Sequence, residues 1–194
     1  MAHPDDEYAF AATAYRITHE LSETVDQMVL TNGEGGYRYS QLAEAVYGEP
    51  LTVESVGRSA LPAIRRDETI RAGRLLGLRH QWLLEQKDSS FNLDGSEAFR
   101  GLWDTERIER ALVDLLKKER YELVLMMLPT TDTHGHHQVA TLLALQAAKQ
   151  LSEDARPAVV GARPALRGEA YQFQGRPDSP LTAVTSQAPA YSVR

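Results

Sequence analysis

Residues 121–128 read YELVLMML, an apolar run interrupted near its start by Glu122. A strand with one solvated face alternates apolar and polar side chains, whereas a strand covered on both faces of a parallel sheet is apolar almost throughout. Pro129 follows directly and ends the run, because proline has no N–H for a strand ladder. The stretch therefore predicts a central strand of a parallel sheet.

Helical and strand-like patterns alternate on both sides of this run. After it, residues 137–151 carry apolar side chains at helical spacing and residues 158–161 favour another strand. Before it, Asp104 is suited to cap a helix that ends near Lys117 and Lys118, where cations favour the helix dipole. The same criteria predict four elements nearer the N-terminus. The first is a helix with Phe10, Ala14, Ile17 and Leu21 on one face, and a strand over residues 25–30 follows it. A helix over residues 60–76 and a strand over residues 81–84 come next. This alternation predicts an α/β fold, a three-layer, Rossmann-like, mainly parallel sheet flanked by helices.

Composition narrows the classes of function. The formal net charge of −6 and the lack of a Lys/Arg block argue against nucleic-acid binding and favour a small-molecule partner. No apolar stretch reaches the roughly 18 residues of a membrane span, so we expect no span and a cytoplasmic location. The chain has no cysteine, which leaves His, Asp and Glu as metal ligands. A homo-oligomer remains an open alternative to a monomer.

The first cluster of chemistry-bearing residues is HPDDE at residues 3–7. Neighbouring side chains point in different directions, so one carboxylate can bind a metal while the other accepts a proton from metal-bound water. The alternative is a helix start with solvated acids, because carboxylates suit a helix N-terminus. An α/β chain normally has an apolar strand before its first functional loop. We therefore expect either a longer natural chain or a substitute for that strand, for example from a neighbouring subunit.

The second cluster is DTHGHH at residues 132–137, which holds three of the six histidines and follows the strand of residues 121–128. Ligands of open α/β sheets bind at the C-terminal ends of strands, where both clusters would lie if a strand preceded His3. Incidental metal binding by a histidine-rich surface is the alternative. Two histidines and one carboxylate would leave a tetrahedral Zn²⁺ one open position, as in catalytic sites, and the same set suits non-haem Fe²⁺.

Several segments resemble the PIG-L/LmbE family of zinc-dependent N-deacetylases. AHPDDE at residues 2–7 resembles the family signature, and TNGEGG at residues 31–36 resembles its Gly-Glu loop after the second strand. Residues 66–78 are similar to the helix that follows, and HGHH at residues 134–137 lies at the place of the family's HPDH-like motif. The resemblance covers about residues 2–150 in the family's order.

The resemblance implies roles for individual residues. It implies that His3, Asp6 and His137 bind zinc, that Asp5 is the general base, and that His134 assists the oxyanion or protonates the leaving amine. The implied reaction is hydrolysis of the N-acyl, usually acetyl, amide of an amino-sugar conjugate such as an N-acetylglucosamine derivative. Zn²⁺ is the implied cofactor, with Fe²⁺ or another divalent metal as the alternative.

The sequence departs from the family pattern at Gly135 and His136, which stand where Pro-Asp is commoner. An aspartate there can orient the catalytic histidine or raise its pKa. Without it, the orientation and the pKa of His134 must be set by another group, and Asp132 is a candidate. Candidate substrate contacts are Glu34, Arg38 and Arg66, followed by Tyr37, Arg65 and Asn92; surface roles are the alternative for each.

The resemblance also sets the expected domain limits and the competing functions. We expect an LmbE-like deacetylase domain over residues 1–162. Residues 163–194, rich in proline, glycine and polar side chains, have no assigned structure and would complete or flank the same domain. The competing functions are hydrolysis of a different amide conjugate and a catalytically degenerate metal-binding scaffold.

Overall fold

The computed structural model describes residues 1–130, 132–162, 170–173 and 182–185. Helices and strands alternate along most of these ranges, which confirms the predicted α/β class. The helices are α1 (Ala11–Tyr15), α2 (Gln41–Tyr47), α3 (Glu54–Leu75), α4 (Thr105–Glu119) and α5 (Gly135–Lys149). The strands are β1 (Asp26–Thr31), β2 (His80–Gln86), β3 (Leu123–Met127), β4 (Ala158–Ala162), β5 (Ala170–Phe173) and β6 (Thr182–Thr185). Shorter 3₁₀ or π turns cover Asp6–Ala9, Arg16–Glu20, Glu34–Tyr39, Ala98–Leu102 and Glu153–Ala155.

The strands are joined in pairs. β1 and β2 are parallel, with Asp26 opposite His80, and β3 and β4 are parallel, with Leu123 opposite Ala158. These pairs confirm the predicted parallel character of the sheet. β5 and β6 form an antiparallel pair in the segment to which the sequence assigned no structure. The rest of residues 163–194 lies outside the described residues, and the predicted boundary after residue 162 stays a prediction.

The first two residues pair with β1 on the edge that does not face β2. The Met1 ammonium donates to the carbonyl of Met28 at 2.7 Å, and the N–H of Leu30 donates to the carbonyl of Met1 at 3.1 Å. The N–H of Thr31 donates to the carbonyl of Ala2 at 2.8 Å. Met1 and Ala2 therefore pair with β1 and support the His3 loop, at the place where the sequence predicts a strand or its substitute.

A cavity of about 620 Å³ lies between β1 and β3. Residues of both strands line it, together with residues of α4 and α5, and among the described residues no strand ladder joins β1 to β3. β3 is thus paired on one edge, with β4, and its residue Leu123 is 42% exposed. The predicted central strand exists, but in the described part of the chain its second edge faces this cavity.

The main core lies between α4, α5 and the first strand pair. Buried side chains from these elements pack together: Leu30, Leu84, Ile108, Val139 and Leu143, with Trp103 beside them. Burying one such aliphatic side chain contributes about 1.5–3 kcal/mol. Asp104 caps α4 as expected, because its carboxylate accepts the N–H of Arg107 at 2.9 Å. This packing fixes the N-terminus of α5, and with it the second histidine cluster.

The first predicted helix differs from the expected one. Phe10 and Ala14 are buried as predicted, but Leu21 is 59% exposed, so its assignment to the buried face is wrong. The N–H of Leu21 bonds to the carbonyl of Arg16, five residues earlier. This wider π turn shifts the helix face by one residue and carries Leu21 away from the core.

In the described ranges, none of the helices combines the length and the hydropathy that crossing a lipid bilayer requires.

Candidate metal centre

The site forms where the loop after Ala2 meets the N-terminus of α5. His3 follows the residues paired with β1, and Asp6 opens the 3₁₀ turn Asp6–Ala9. His134 is the N-cap of α5, and His137 lies in its first turn. The structure thus brings together the two predicted clusters, whose members are more than 120 positions apart in sequence.

Three of the predicted side chains form a compact triangle of donor atoms. His3 Nδ1 lies 3.0 Å from His137 Nε2, which lies 3.2 Å from Asp6 Oδ1. His3 Nδ1 lies 3.8 Å from the other carboxylate oxygen of Asp6, Oδ2, and one donor atom from each of the three residues lies within 4.8 Å of the other two. Ligands bound tetrahedrally at the usual zinc distances are about 3.3 Å apart. The donor set therefore fits a tetrahedral cation with His3, Asp6 and His137 as three ligands and one position left for another ligand.

Asp6 is ionised in this setting. Asp6 is 4% exposed, and its carboxylate accepts the backbone N–H of His3 at 2.8 Å. Burial alone would raise the pKa of Asp6, but hydrogen bonds from His137 and His3 hold it well below its usual value. Burial likewise opposes charge on His3, yet the Asp6 carboxylate raises the pKa of His3. The Asp6 carboxylate supplies a negative charge next to the imidazoles, as a cation site requires.

Asp5 lies beside this triangle and is not part of it. Its backbone has φ 92°, a left-handed conformation that aspartate tolerates better than most residues. Its carboxylate, 68% exposed, forms an ion pair with Arg65 of α3. The same Arg65 nitrogen donates to the carbonyl of Pro4 at 2.6 Å. Arg65 thus joins α3 to the loop that carries Asp5, and its predicted contact with substrate stays a prediction.

His134 has a defined hydrogen-bonding state. Its Nδ1 accepts the backbone N–H of His136 at 3.1 Å, so the proton of the neutral ring is on Nε2. Burial, together with the imidazoles of His3 and His137, lowers the pKa of His134 to about 4. At neutral pH His134 is therefore an uncharged ring, and its Nε2–H donor has no hydrogen-bond partner among the described residues.

An open pocket of about 410 Å³ gives access to these groups. Its volume is in the range of small-molecule sites. The predicted site residues His3, Asp6, His134 and His137 line it, together with Tyr8, Phe91, Met127, Asp132 and Thr133. The triangle is thus reachable from solvent, with His134 on the same wall.

The candidate substrate contacts lie elsewhere among the described residues. Arg66 pairs with Glu85 at 3.1 Å on the surface, and Arg38 Nε donates to the Tyr37 hydroxyl at 2.9 Å. Glu34 is buried, and its pKa is raised by burial and by the charge of Asp88. The carbonyl of Asn92 accepts the N–H of Gly135, which is a structural contact. Their roles in binding substrate stay predictions.

Sequence reasoning missed a second group around His136. His136 is fully buried, and its Nδ1 lies 3.1 Å from His3 Nε2 and 3.6 Å from Asp88 Oδ1. Asp88 follows the end of β2 by two residues, so it also lies near the C-terminal end of a parallel strand. That position was the signal available in the sequence, because such strand ends carry the ligand sites of α/β folds.

Comparison with protein families identifies the chain's relatives. Residues 1–148 match the PIG-L family, described as GlcNAc-PI de-N-acetylase. The chain belongs to the PIG-L family. PIG-L family enzymes are generally metal-dependent, which agrees with the donor triangle. A comparison with curated protein sequences gave no match.

Two solved structures share the fold of this PIG-L chain. N,N'-diacetylchitobiose deacetylase from Pyrococcus horikoshii, complexed with its inhibitor, has a TM-score of 0.55 and 21% identity, covering 88% of this chain. GalB, the 4-carboxy-2-hydroxymuconate hydratase from Pseudomonas putida KT2440, has a TM-score of 0.54 and 21% identity, covering 80% of this chain. The chain spans 57% of the length of each. At this identity the likeness shows a common fold, on which the two proteins carry different activities.

Proposed function

We propose that this PIG-L family chain is a zinc-dependent N-deacetylase that hydrolyses the acetyl amide of an amino-sugar conjugate. The observation that carries the proposal is the triangle of His3, Asp6 and His137, which opens into the pocket that His134 also lines. Family membership supports the reaction class, and the imidazole and carboxylate donors support zinc. Among the competing metals, Fe²⁺ suits the same donor set.

A Zn²⁺ ion held by His3, Asp6 and His137 would lower the pKa of a bound water and polarise the amide carbonyl. Asp5 is the neighbouring carboxylate that remains outside this ligand set. Desolvation raises the pKa of Asp5, and the ion pair with Arg65 opposes that rise and orients the carboxylate. Asp5 accepts the proton of the attacking water as the new C–O bond forms.

His134 serves as a hydrogen-bond donor to the carbonyl oxygen as negative charge develops on it. This role follows from the Nε2–H of a neutral ring, and its pKa of about 4 leaves no second proton to transfer at neutral pH. The sequence left open whether His134 assists the oxyanion or protonates the amine, and we assign it the first role. Asp5 returns the proton it has taken to the nitrogen as the C–N bond breaks. The products are acetate and a free amine.

The pocket supports a sugar-sized substrate. Tyr8 and Phe91 line it and are 67% and 62% exposed, so their rings offer flat apolar surfaces near its opening. A sugar ring has apolar faces as well as hydroxyl groups. Aromatic rings can pack against such apolar faces, and the hydroxyl group of a tyrosine can also form a hydrogen bond. The amino-sugar class of the proposed substrate rests on membership of the PIG-L family.

A deacetylation screen tests the proposal. The zinc-loaded chain is incubated with N-acetylglucosamine and its inositol, lipid, malate and oligosaccharide conjugates, while released amine and acetate are measured. Metal content is determined on the same samples, and Asp5→Asn is the matched control. We expect stoichiometric amine and acetate from at least one conjugate. Bound zinc without product from any of them would favour the scaffold, and oxygen-dependent turnover with Fe²⁺ would favour an oxygenase.

A further inference from the structure

The side chain of His136 lies among groups that the proposed reaction does not use. It is fully buried near the start of α5, with Nδ1 directed at His3 and Asp88. Its other nitrogen, Nε2, lies 3.5 Å from Glu97 Oε1 and 3.4 Å from Ser89 Oγ. A neutral imidazole has a single N–H donor, whereas several hydrogen-bond acceptors surround this ring. The surroundings of His136 are therefore rich in electron-pair donors.

Three of these donor atoms form a second triangle. His3 Nε2 and His136 Nδ1 are 3.1 Å apart, and His136 Nδ1 and Asp88 Oδ1 are 3.6 Å apart. The donor atoms of His3, Asp88 and His136, with one from His134, all lie within 4.8 Å of one another. The first two distances bracket the roughly 3.3 Å between ligands of a tetrahedral zinc ion. His3 contributes Nδ1 to the first triangle and Nε2 to the second. A neutral imidazole has one nitrogen free to bind a metal, so filling both sites at once requires the imidazolate form of His3, whose ring proton is released to solvent as the second cation binds.

Negative charge accumulates on the far side of this triangle. Asp88 is 5% exposed, and Glu34 next to it is 9% exposed. Glu34 Oε2 is buried without a hydrogen-bond partner among the described residues. The nearby Arg58 donates to the backbone carbonyls of Asp88 and Ser89 and not to the Asp88 carboxylate. Buried carboxylates of this kind are commonly paired with a cation or bound to a metal.

The geometry points to a second divalent-cation site formed by Asp88, His136 and the Nε2 side of His3. Glu97 flanks it through His136 and Ser89. Imidazole and carboxylate donors in a tetrahedral arrangement suit Zn²⁺ or Co²⁺. His134 is left out of the ligand set because Nδ1 accepts the His136 N–H and Nε2 faces substrate in the proposed reaction. The second site shares His3 with the proposed catalytic site and goes beyond that function.

Metal stoichiometry on the full chain tests this site directly. The chain is stripped of metal, dialysed against Zn²⁺, and analysed by mass spectrometry of bound metal, with Co²⁺ absorption spectra on parallel samples. We expect two equivalents per chain in the parent. Asp88→Asn should bind one, because the amide keeps the shape of the carboxylate but is a poor metal ligand. Asp6→Asn should also bind one, with a different Co²⁺ spectrum.

Further variants serve as controls for this test. Asp94→Asn changes an exposed carboxylate outside both triangles and should keep two equivalents. His136→Asn removes another ligand of the second triangle and should, like Asp88→Asn, lower the stoichiometry to one equivalent. Circular dichroism checks that each variant folds. His3→Ala should lower binding at both positions.

The outcome separates this site from the deacetylase proposal. One equivalent in the parent, lost in Asp6→Asn and kept in Asp88→Asn, would overturn the second site while leaving the first intact. Two equivalents that survive in both Asp88→Asn and His136→Asn would place the second cation elsewhere and also overturn it. Failure of the deacetylase proposal would instead appear as bound metal without product in the substrate screen.

Discussion

The Nδ1 atom of His134 accepts the backbone N–H of His136 at 3.1 Å. One hydrogen bond thereby caps α5 and fixes the tautomer of the ring that faces the pocket. The neighbouring His137, three residues further along the helix, contributes its Nε2 to the donor triangle. The start of α5 thus places His134 as a capping residue that faces the pocket and His137 as a donor of the first triangle.

Replacing His134 and His137 should therefore have different effects. His134→Ala should retain zinc but lower kcat by about 10²–10³-fold, the usual loss for one oxyanion donor. His137→Ala should lose the zinc of the first triangle, because it removes one of its three protein ligands. Metal analysis and initial rates on both variants measure this. Equal metal loss in both variants would make His134 a ligand like His137 and contradict the roles assigned to the two residues.

The low pKa of His134 also predicts a pH dependence of stability. In the folded, metal-free chain this pKa is about 4, below its value near 6.5 in an unfolded chain. Between these values the unfolded state binds more protons, so the stability contributed by neutral His134 is present above about pH 6.5 and is lost as the pH falls towards 4. Urea unfolding of the metal-free chain at several pH values should show this fall.

The matched variants for this pH effect are His134→Gln and His19→Gln. His134→Gln should show a shallower loss of unfolding free energy between pH 6.5 and 4, because the titrating ring is gone. His19→Gln, which lies outside the site, should follow the parent. Parallel curves for the parent and His134→Gln would contradict the lowered pKa.

Arg65 gives a third prediction because it connects α3 to the HPDDE loop. Arg65→Gln removes the ion pair with Asp5 and a hydrogen bond to the carbonyl of Pro4. Zinc should stay bound, whereas kcat should fall about 10- to 100-fold, since a misplaced catalytic group costs rate more than binding. Arg74→Gln, an exposed position on the same helix, is the control. Arg65→Gln with a raised KM and an unchanged kcat would return Arg65 to the role of substrate contact.

Local signals in the sequence explain which parts of the fold were predictable. α4 was predicted within a residue or two because Asp104 caps it and lysines occupy its last turn. α3 begins six residues earlier than predicted, since Gly57 and the polar residues near it do not favour a helix. The reason for Gly57 is tertiary: a Cβ there would lie 2.2 Å from the carbonyl oxygen of Leu51. Packing against a distant segment cannot be read from helical periodicity.

For the site, as for the fold, local sequence patterns predicted some contacts, whereas contacts between distant segments were missed. The proximity of residues 3–7 and 132–137 could be predicted because each cluster lies at a strand end or beside one, and the C-terminal ends of parallel strands meet. The choice of His3, Asp6 and His137 within these clusters came from the resemblance to the PIG-L/LmbE family. The contact between His136 and Asp88 was missed. These residues are 48 positions apart, and Asp88 lies in a segment without a histidine cluster to draw attention to it. Only the folded structure shows that β2 delivers Asp88 to the buried face of α5.

The fourth prediction separates the two adjacent carboxylates, Asp5 and Asp6. Asp6 belongs to the donor triangle and is buried, so Asp6→Asn should impair zinc retention. Asp5 lies outside the triangle, so Asp5→Asn should keep both zinc and substrate affinity. An amide at position 5 cannot accept the proton of the attacking water, and general-base assistance is typically worth about 10²–10⁴-fold.

Kinetics on the metal-replete Asp5→Asn variant decide the role of this carboxylate. Because the lost interaction is made in the transition state, kcat and kcat/KM should fall together while KM changes little. Single-turnover measurements isolate the chemical step from product release, and metal analysis on the same sample excludes zinc loss as the cause. If Asp5 were only a solvated acid near a helix start, the rate would stay near that of the parent and stability would change by at most about 1 kcal/mol. A near-parental single-turnover rate would therefore remove Asp5 from the mechanism and leave its ion pair with Arg65 as a structural contact.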